Sequence, residues 1–437
     1  MYQAYITTIK NLRPHPNADR LDLGECFGNT VCVGHGDFIE GDLVVYFPVD
    51  GQLSEEFCAQ HNLVRRKDDA GNNIGGYLDP AKRNVKAISL RGEKSDGLVM
   101  PLKSLEYTGV DIYSLEVGFC FTTVNGKEIC CKYIPRRPNR AAAGGANRTR
   151  KKKVPTAPLF AEHADTEQLA YNLSAFRPGD EIEITLKMHG TSQRTGYLPV
   201  LQGYRRTIWD RLFRREGEPI YDYGYVSGTR RTVLEDFDGG YYGSNEFREI
   251  HSKHFEGKLW KGETVYYEVV SFTNDGTPIM GKGKVPKEAQ NLYGKEMIFH
   301  YGLEQGSDMY VYRMTMTNPD GQVVEYTPDF MRYRCEQIGV KCVPVFDKFT
   351  IATSAIARAY QEPGDYVKER AERYYDGPDP VGKTHVREGV VVRIINRPKF
   401  TAFKHKNFLF KQIAGIITEQ TADTNDINIS DDILAEM

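Results

Sequence analysis

The sequence predicts an α+β protein in which a small N-terminal β-barrel precedes a larger domain of antiparallel sheets with flanking helices. Three observations predict it. Residues 1–133 read as short strands separated by Gly- and Asp-containing turns, with no long amphipathic helix between them. Residues 134–155 break that pattern with Pro, Gly and clustered basic side chains. From residue 156 onward, strand-like alternation is mixed with stretches of helical spacing. A chain of 437 residues has the length of two domains, or at most three.

In the first domain, strands are expected at residues 2–10, 26–33, 43–48, 85–89, 97–101 and 120–124. The stretch His15-Pro16-Asn17-Ala18-Asp19-Arg20-Leu21 resembles the opening of tRNA-binding OB-type domains, and a Pro/Asn/Asp turn between strands accounts for it equally. The segment 134–155 carries Pro135-Arg136-Arg137-Pro138-Asn139-Arg140, an Ala/Gly run, then Arg148-Thr149-Arg150-Lys151-Lys152-Lys153. It reads either as a solvated spacer or as a basic tether that meets phosphates. The second domain, 156–418, offers helices at 286–292, 327–338 and 351–361. No Lys or Arg follows Lys411, and residues 419–437 are expected to form a frayed acidic tail.

Bulk chemistry narrows the function classes. Hydrophobic residues make up 40% and charged residues 27% of the chain, as in a folded soluble protein. A net charge of −2 excludes a globally basic nucleic-acid coat, so any polyanion must be met by local patches. No apolar run is long enough to span a bilayer, and the N-terminus has no signal-peptide pattern. The eight cysteines form no CxxC pair, and Cys130-Cys131 suits neither a zinc hairpin nor a disulfide framework. Reduced thiols in a cytoplasmic setting, away from membranes, are expected.

The chemistry is carried by five segments. Glu181-Ile182-Glu183-Ile184-Thr185-Leu186 alternates as a strand and runs into Lys187-Met188-His189-Gly190-Thr191-Ser192. A lysine at a strand end before a Gly-containing turn is placed to project its amine into a cleft, where it can attack an electrophile. Thr264-Val265-Tyr266-Tyr267-Glu268-Val269-Val270 sets one carboxylate among apolar neighbours. Met309-Tyr310-Val311-Tyr312-Arg313-Met314 offers aromatic rings on a strand. Arg387-Glu388-Gly389-Val390-Val391-Val392-Arg393 puts a carboxylate at the start of an apolar strand. Phe403-Lys404-His405-Lys406-Asn407 sets two lysines at i and i+2, on one face of a strand, where both amines can point at one anion. Taken singly, these carboxylates and lysines fit ordinary surface ion pairs, and the tyrosines fit a core. His385 and His405 read as structural or surface residues rather than metal ligands.

In this order the segments resemble the motifs of the covalent nucleotidyltransferases, which comprise ATP-dependent RNA and DNA ligases and mRNA capping enzymes. His189 in the first motif, and a β-domain ahead of the catalytic domain, point to the RNA ligase family typified by the Deinococcus enzyme. Val85-Lys86-Ala87-Ile88-Ser89-Leu90-Arg91-Gly92 and Ser95-Asp96-Gly97-Leu98-Val99-Met100-Pro101-Leu102 are similar to its N-terminal domain. The resemblance implies an OB-like barrel followed by an ATP-grasp-like, nucleotidyltransferase catalytic domain. It also implies these roles. Lys187 attacks the α-phosphate of ATP to give a lysyl-AMP, with burial and nearby cationic lysines lowering its pKa. Lys404 and Lys406 neutralise that phosphate, and Glu388 engages Mg²⁺, for which Mn²⁺ can substitute. Glu268 fixes the ribose, Tyr312 or Tyr310 underlies adenine, and His189, Gly190 and Ser192 complete the nucleotide contacts. An Arg between the first and third motifs is expected in Val226-Ser227-Gly228-Thr229-Arg230-Arg231. The intervening Gly-Thr leaves Arg230, the preferred choice, in competition with Arg231.

The implied activity joins an RNA 3′-OH to a 5′-phosphate, with nicked duplex RNA or an RNA–DNA hybrid as substrate. Capping guanylyltransferases and DNA ligases place a barrel after the fifth motif, and the stretch beyond Lys406 is too short for one. A non-catalytic RNA-binding protein would explain the barrel and the basic segments but not the ordered motifs. The remaining feature is an insertion, Tyr204-Arg205-Arg206-Thr207-Ile208-Trp209-Asp210-Arg211-Leu212-Phe213-Arg214-Arg215. On a helix Trp209 and Phe213 would share a face, leaving arginines either solvated or set to grip the phosphates of a duplex.

Overall fold

The computed structural model describes residues 2–71, 74–134, 155–213, 217–234, 237, 244–352 and 362–423. The chain divides into two compact units. One comprises Met1–Arg136 with Lys411–Glu419, the other Arg137–Phe410 with Gln420–Met437. Most of the expected linker, the 351–361 helix from residue 353 on, and the tail from residue 424 lie outside the described residues.

The first unit is mostly short strands and turns, with the short helix Glu55–Gln60 and the 3₁₀ stretch Leu102–Thr108, around one apolar core of Ile6, Val45, Phe47, Phe57, Leu105 and Ile129. Its main sheet runs in the order Cys120–Phe121, Ala4–Thr8, Leu43–Phe47, Leu98–Pro101, all antiparallel. A three-stranded meander, Lys10–Pro14, Leu21–Cys26 and Asn29–Gly34, stands beside it. The strand expected at 26–33 is really a hairpin. Phe27 and Gly28 both take positive φ, so the chain reverses there after Cys26. The His15-Pro16-Asn17 stretch is a pinned turn. His15 is buried, with Nε2 3.0 Å from the Leu90 carbonyl and Nδ1 accepting from the Asn17 N–H at 3.0 Å. Of the two readings of that stretch, these contacts account for the turn.

The second unit is built on two sheets. A five-stranded sheet has the order Glu167–Gln168, Thr401–Lys406, Gly389–Ile394, Glu181–Leu186, Val345–Thr350. Its period-2 alternation sorts the faces. Ile182, Ile184, Val390, Val392 and Phe403 pack into one core with Leu169, Phe176 and Val367. Glu183, Thr185, Val391 and Arg393 turn to the other side and line a cleft. A seven-stranded sheet contains Glu218–Gly228, Thr191–Arg205, Glu263–Ser271 and Ser307–Thr317 as its long members. Gln193 and Thr195 face the Glu246–Lys253 helix side, where Gln193 donates to the Arg248 carbonyl and Thr195 bonds Ser227 and Tyr267.

Helices flank the sheets. The 327–338 expectation matches the Pro328–Ile338 helix, whose N-cap Thr327 accepts from the Phe330 N–H and whose C-terminal Gly339 takes αL geometry. The helix expected at 286–292 is a 3₁₀ turn followed by the single-turn helix Gln290–Tyr293. Among the described residues, four helices were not anticipated from sequence: Glu55–Gln60, Glu246–Lys253, Pro363–Glu372 and Phe408–Asp423. The last takes in residues 419–423, which were expected in the tail. All eight cysteines are free thiols.

One glycine fixes how closely the site strands approach. Gly389 has φ +147°, and a Cβ there would fall 2.1 Å from the His405 carbonyl oxygen and 2.8 Å from the Lys406 Cα. Both the dihedral and the space require glycine. Replacing it by alanine is expected to lower unfolding stability by about 2 kcal/mol or more, read from a urea titration followed by far-UV circular dichroism. A change under about 0.5 kcal/mol would mean that the strand pair can open without cost.

Candidate active site

Lys187, Met188, His189 and Gly190 form the passage from one sheet to the other. The Glu181–Leu186 strand belongs to the five-stranded sheet and the Thr191–Arg205 strand to the seven-stranded one. The Lys187 N–H donates to the Gly389 carbonyl at 3.0 Å, tying the strand end to its neighbour. Gly190 passes so close to the adjacent strand that a Cβ would meet the Val269 carbonyl at 2.3 Å. The Tyr301 hydroxyl sits on the turn, accepting from the His189 N–H at 2.6 Å. Arg248, 1% exposed, supports the far end, donating to the Ser192 carbonyl at 3.1 Å and to the Thr191 hydroxyl.

Four side chains converge here. Glu388 Oε1 lies 3.0 Å from Lys187 Nζ and 3.1 Å from Lys406 Nζ. Its Oε2 lies 3.4 Å from His189 Nδ1. Glu388 is buried, which alone would raise its pKa, yet the two lysines and His189 hold the carboxyl well below the usual range. The His189 pKa is lowered as well. Burial between Phe299 and Phe410, both edge-on at 4.5 and 4.7 Å, favours the neutral ring. The sequence placed Lys187 among cations; a carboxylate instead stands between the two lysines.

The Lys404–Lys406 pair does share a strand face, with different neighbours. Lys406 meets Glu388, while Lys404 lies across from Val391; Val391 lines the cleft, and Lys404, Lys406 and Glu388 are not among its lining residues. Asn407 locks this end. Its N–H donates to the Glu388 carbonyl at 2.8 Å and its Oδ1 accepts from the Phe410 N–H, starting the following helix.

A cleft opens between the sheets. Lys187, Arg230, Glu268 and Tyr312 line it, with Leu186, Met188, Met331 and Val391 as apolar walls. Tyr312 is the cleft tyrosine. A β-bulge leaves it unpaired in the register between Val311 and Arg313, and its hydroxyl lies 2.9 Å from Ser192 Oγ. Tyr310 is buried beside Lys341 and lies away from the cleft lining. Of the two arginines, Arg230 lines the cleft and Arg231 does not, though both pair with Asp165 at 3.0 and 3.1 Å. Sequence reasoning missed His163, Glu183, Arg332, Arg393 and Phe400, which also line it. Strand alternation signalled Glu183 and Arg393, since each lies two residues from a cleft-facing position. His163, Arg332 and Phe400 come from a loop, a helix and a turn, and carried no such signal.

Glu388 Oε2 is buried without a hydrogen-bond partner of good geometry. A hard divalent cation, or a water bound to one, fits that spare oxygen. Among the described residues no group of three or more His, Cys, Asp or Glu is arranged to hold an ion. A cation at Glu388 would therefore draw most of its ligands from a bound phosphate chain and water.

Comparisons with known proteins support this architecture. A family model described as an OB-fold domain matches residues 3–102. No curated protein matches the chain in sequence. Among solved structures, a variant of Naegleria gruberi RNA ligase with ATP and Mn superposes with a TM-score of 0.53 at 17% identity, covering 94% of this chain and 98% of that one. The same enzyme with PPi gives 0.53 at 18% identity over 96% and 99%. A further variant with AMP and Mn gives 0.52 at 17% over 97% and 99%. The likeness establishes a shared α+β fold along nearly the whole chain.

Behind the Lys187 turn lies a buried polar layer. His385 is enclosed, its Nδ1 2.9 Å from the Val386 carbonyl and its ring edge-on to Tyr301 at 4.4 Å. Burial pushes its pKa down to about 4. Asp379 is fully buried, accepts one N–H from Val381 at 2.9 Å and leaves its other oxygen unpartnered, and burial pushes its pKa up to about 7. A carboxyl raised from 3.8 to about 7 is neutral in the folded state over a range where the unfolded chain ionises. Native stability therefore falls as pH rises from 4 to 7 and stays lowered above that. Asp379→Asn is expected to be more stable than wild type at pH 8 by roughly 1–3 kcal/mol, the gap closing toward pH 4. Urea titrations at both pH values measure this, and a pH-independent difference would refute the buried neutral carboxyl.

Proposed function

We propose that the protein is an ATP-dependent RNA ligase that adenylylates itself on Lys187 and seals 3′-OH/5′-phosphate RNA ends, with nicks in duplexes as the substrate. One observation carries the reading. The lysine at the junction of two sheets shares a buried carboxylate with Lys406, and itself lines a cleft with Glu268, Tyr312 and Arg230. The shared fold with an RNA ligase solved with ATP and Mn, with AMP and Mn, and with PPi supports it.

In this reading the adenine lies against Tyr312 between the apolar walls, and Glu268 takes the ribose. The Lys187 amine attacks the α-phosphorus, so an N–P bond forms as the bond to pyrophosphate breaks. Lys187 must first give up its proton. Its ammonium is held by Glu388 at 3.0 Å, and Lys406 competes for the same oxygen. A divalent cation bound with the nucleotide would offset phosphate charge and draw on Glu388, loosening that hold. Lys406, Lys404 and Arg230 are placed to meet charge on the phosphates as pyrophosphate leaves. AMP then passes to a 5′-phosphate, and the 3′-hydroxyl displaces it. Each transfer depends on positioning and charge stabilisation more than on new covalent groups. The first domain, matched by the OB-fold model, is assigned to docking RNA.

Incubation with α-labelled ATP and Mg²⁺ is expected to label the protein covalently, and Lys187→Ala to abolish the label. Unlabelled, folded wild-type protein, shown free of bound AMP, would defeat the proposal; labelling with GTP in preference to ATP would move it to the capping enzymes. Arg230→Ala is expected to reduce labelling about tenfold or more, and Arg231→Ala by less than about threefold, since only the former lines the cleft. Equal effects would remove Arg230 from the nucleotide site.

A further inference from the structure

The strand that carries Ser192 does not end at the sheet. Thr191–Arg205 pairs with Glu263–Ser271 only over residues 191–196, whereas it pairs with Glu218–Gly228 all the way to Arg205. Beyond residue 196 the described part of the sheet narrows to a two-stranded arm, edged by a bond from the Leu201 N–H to the Thr156 carbonyl at 2.8 Å. At about 3.3 Å per residue, Arg205 lies on the order of 40 Å along the strand from Ser192.

The arm ends in a shaped tip. Thr207 and Asp210 form a reciprocal capping box that starts the short helix Ile208–Leu212. Trp209 and Phe213 stack on each other with centroids 6.1 Å apart. Ile208, Trp209 and Phe213 are 83%, 67% and 59% exposed, an apolar and aromatic surface at the end of a projecting arm. Charge identifies the occupant. The tip from Tyr204 to Glu218 carries five arginines against three acids, Asp210, Glu216 and Glu218, a local excess of two positive charges in a chain whose net charge is −2. Asp210 bonds the Thr207 N–H at 2.8 Å and the Thr207 hydroxyl at 2.6 Å, so its carboxylate is engaged inside the cap, and Glu218 lies across from Arg205 in the strand pair. Aromatic rings in a segment rich in arginine suit a sugar–phosphate surface, where arginine takes phosphates and rings pack on sugars and base faces; of the arginines, Arg205 and Arg206 lead into the tip.

We infer that the arm is a second nucleic-acid contact, gripping the backbone of the substrate RNA duplex about one helical turn from the bond being sealed. The distance to that bond rests on the ligase reading; the affinity of the tip for RNA does not.

The test is fluorescence anisotropy with labelled nicked RNA duplexes whose arms are about 6 or about 14 base pairs long, wild type beside the triple variant Arg205→Ala/Arg206→Ala/Trp209→Ala. The variant is expected to bind the long duplex about tenfold more weakly, with the salt dependence reduced by the equivalent of about two phosphates. It is expected to match wild type on the short duplex and in forming labelled protein from ATP alone. Long-duplex affinity within about twofold of wild type would overturn the inference and leave the tip to a protein partner. An equal loss on both duplexes would also overturn it, because the contact would then not lie at arm's length. If the wild type forms no lysyl-AMP, the ligase reading falls, circular dichroism replaces labelling as the folding control, and the binding comparison still decides the arm.

Discussion

Everything at the site is organised around one buried negative charge. An ionised carboxylate removed from water is costly unless it is paired. Glu388 meets that condition only because two elements bring partners to its carboxylate: the Glu181–Leu186 strand end with Lys187 and His189, and the Thr401–Lys406 strand with Lys406. Removing any one cation would leave the others to balance a charge that cannot reach solvent. The same arrangement explains why its carboxyl remains ionised despite burial. Two lysines share one of its oxygens, while the other keeps only a distant imidazole. The site is held in shape by attraction, yet it has capacity left for an incoming ligand.

The second constraint is topological. The lysine does not sit within a strand but in the four-residue passage between two sheets, and the cleft is the space those sheets enclose. Side chains from both reach it because strand alternation turns Thr185 and Val391 from one sheet toward Glu268 from the other. Small-molecule clefts commonly form where two layers diverge, and here the divergence begins at Lys187 itself. Gly190 and Gly389 make the geometry possible by letting backbones approach where a Cβ would collide.

Strands and their facing side chains were the legible part. The alternation Glu181–Leu186 and the i, i+2 spacing of Lys404 and Lys406 follow from a period of two, which tertiary context does not alter. The choice of Tyr312 over Tyr310 was not legible, because it depends on a bulge at Tyr312 that shifts the register by one residue. Arg230 was preferred over Arg231 in the sequence, but nothing local fixed the choice, for a similar reason. They follow the Thr229 turn, where no strand period fixes direction. The helices Glu246–Lys253 and Pro363–Glu372 have mixed, polar sequences and are held by tertiary contacts, such as Arg248 on Ser192 and Arg370 on Asp347. The counter-ion role of Glu388 required knowing that Lys187 and Lys406, distant in sequence, meet at one oxygen.

The chain has two tryptophans, and both reach solvent, Trp260 at 47% exposure and Trp209 at 67%. What separates them is their neighbours. Trp260 lies under the Arg334 guanidinium, 3.7 Å from its ring centre, in an ion-paired setting fixed by Glu263. Trp209 stands at the tip of the arm, stacked on Phe213. Soluble quenchers can reach both rings, so emission from the arm is read against a second exposed indole that carries a cation on one face, and the arm has an intrinsic optical label with no added dye.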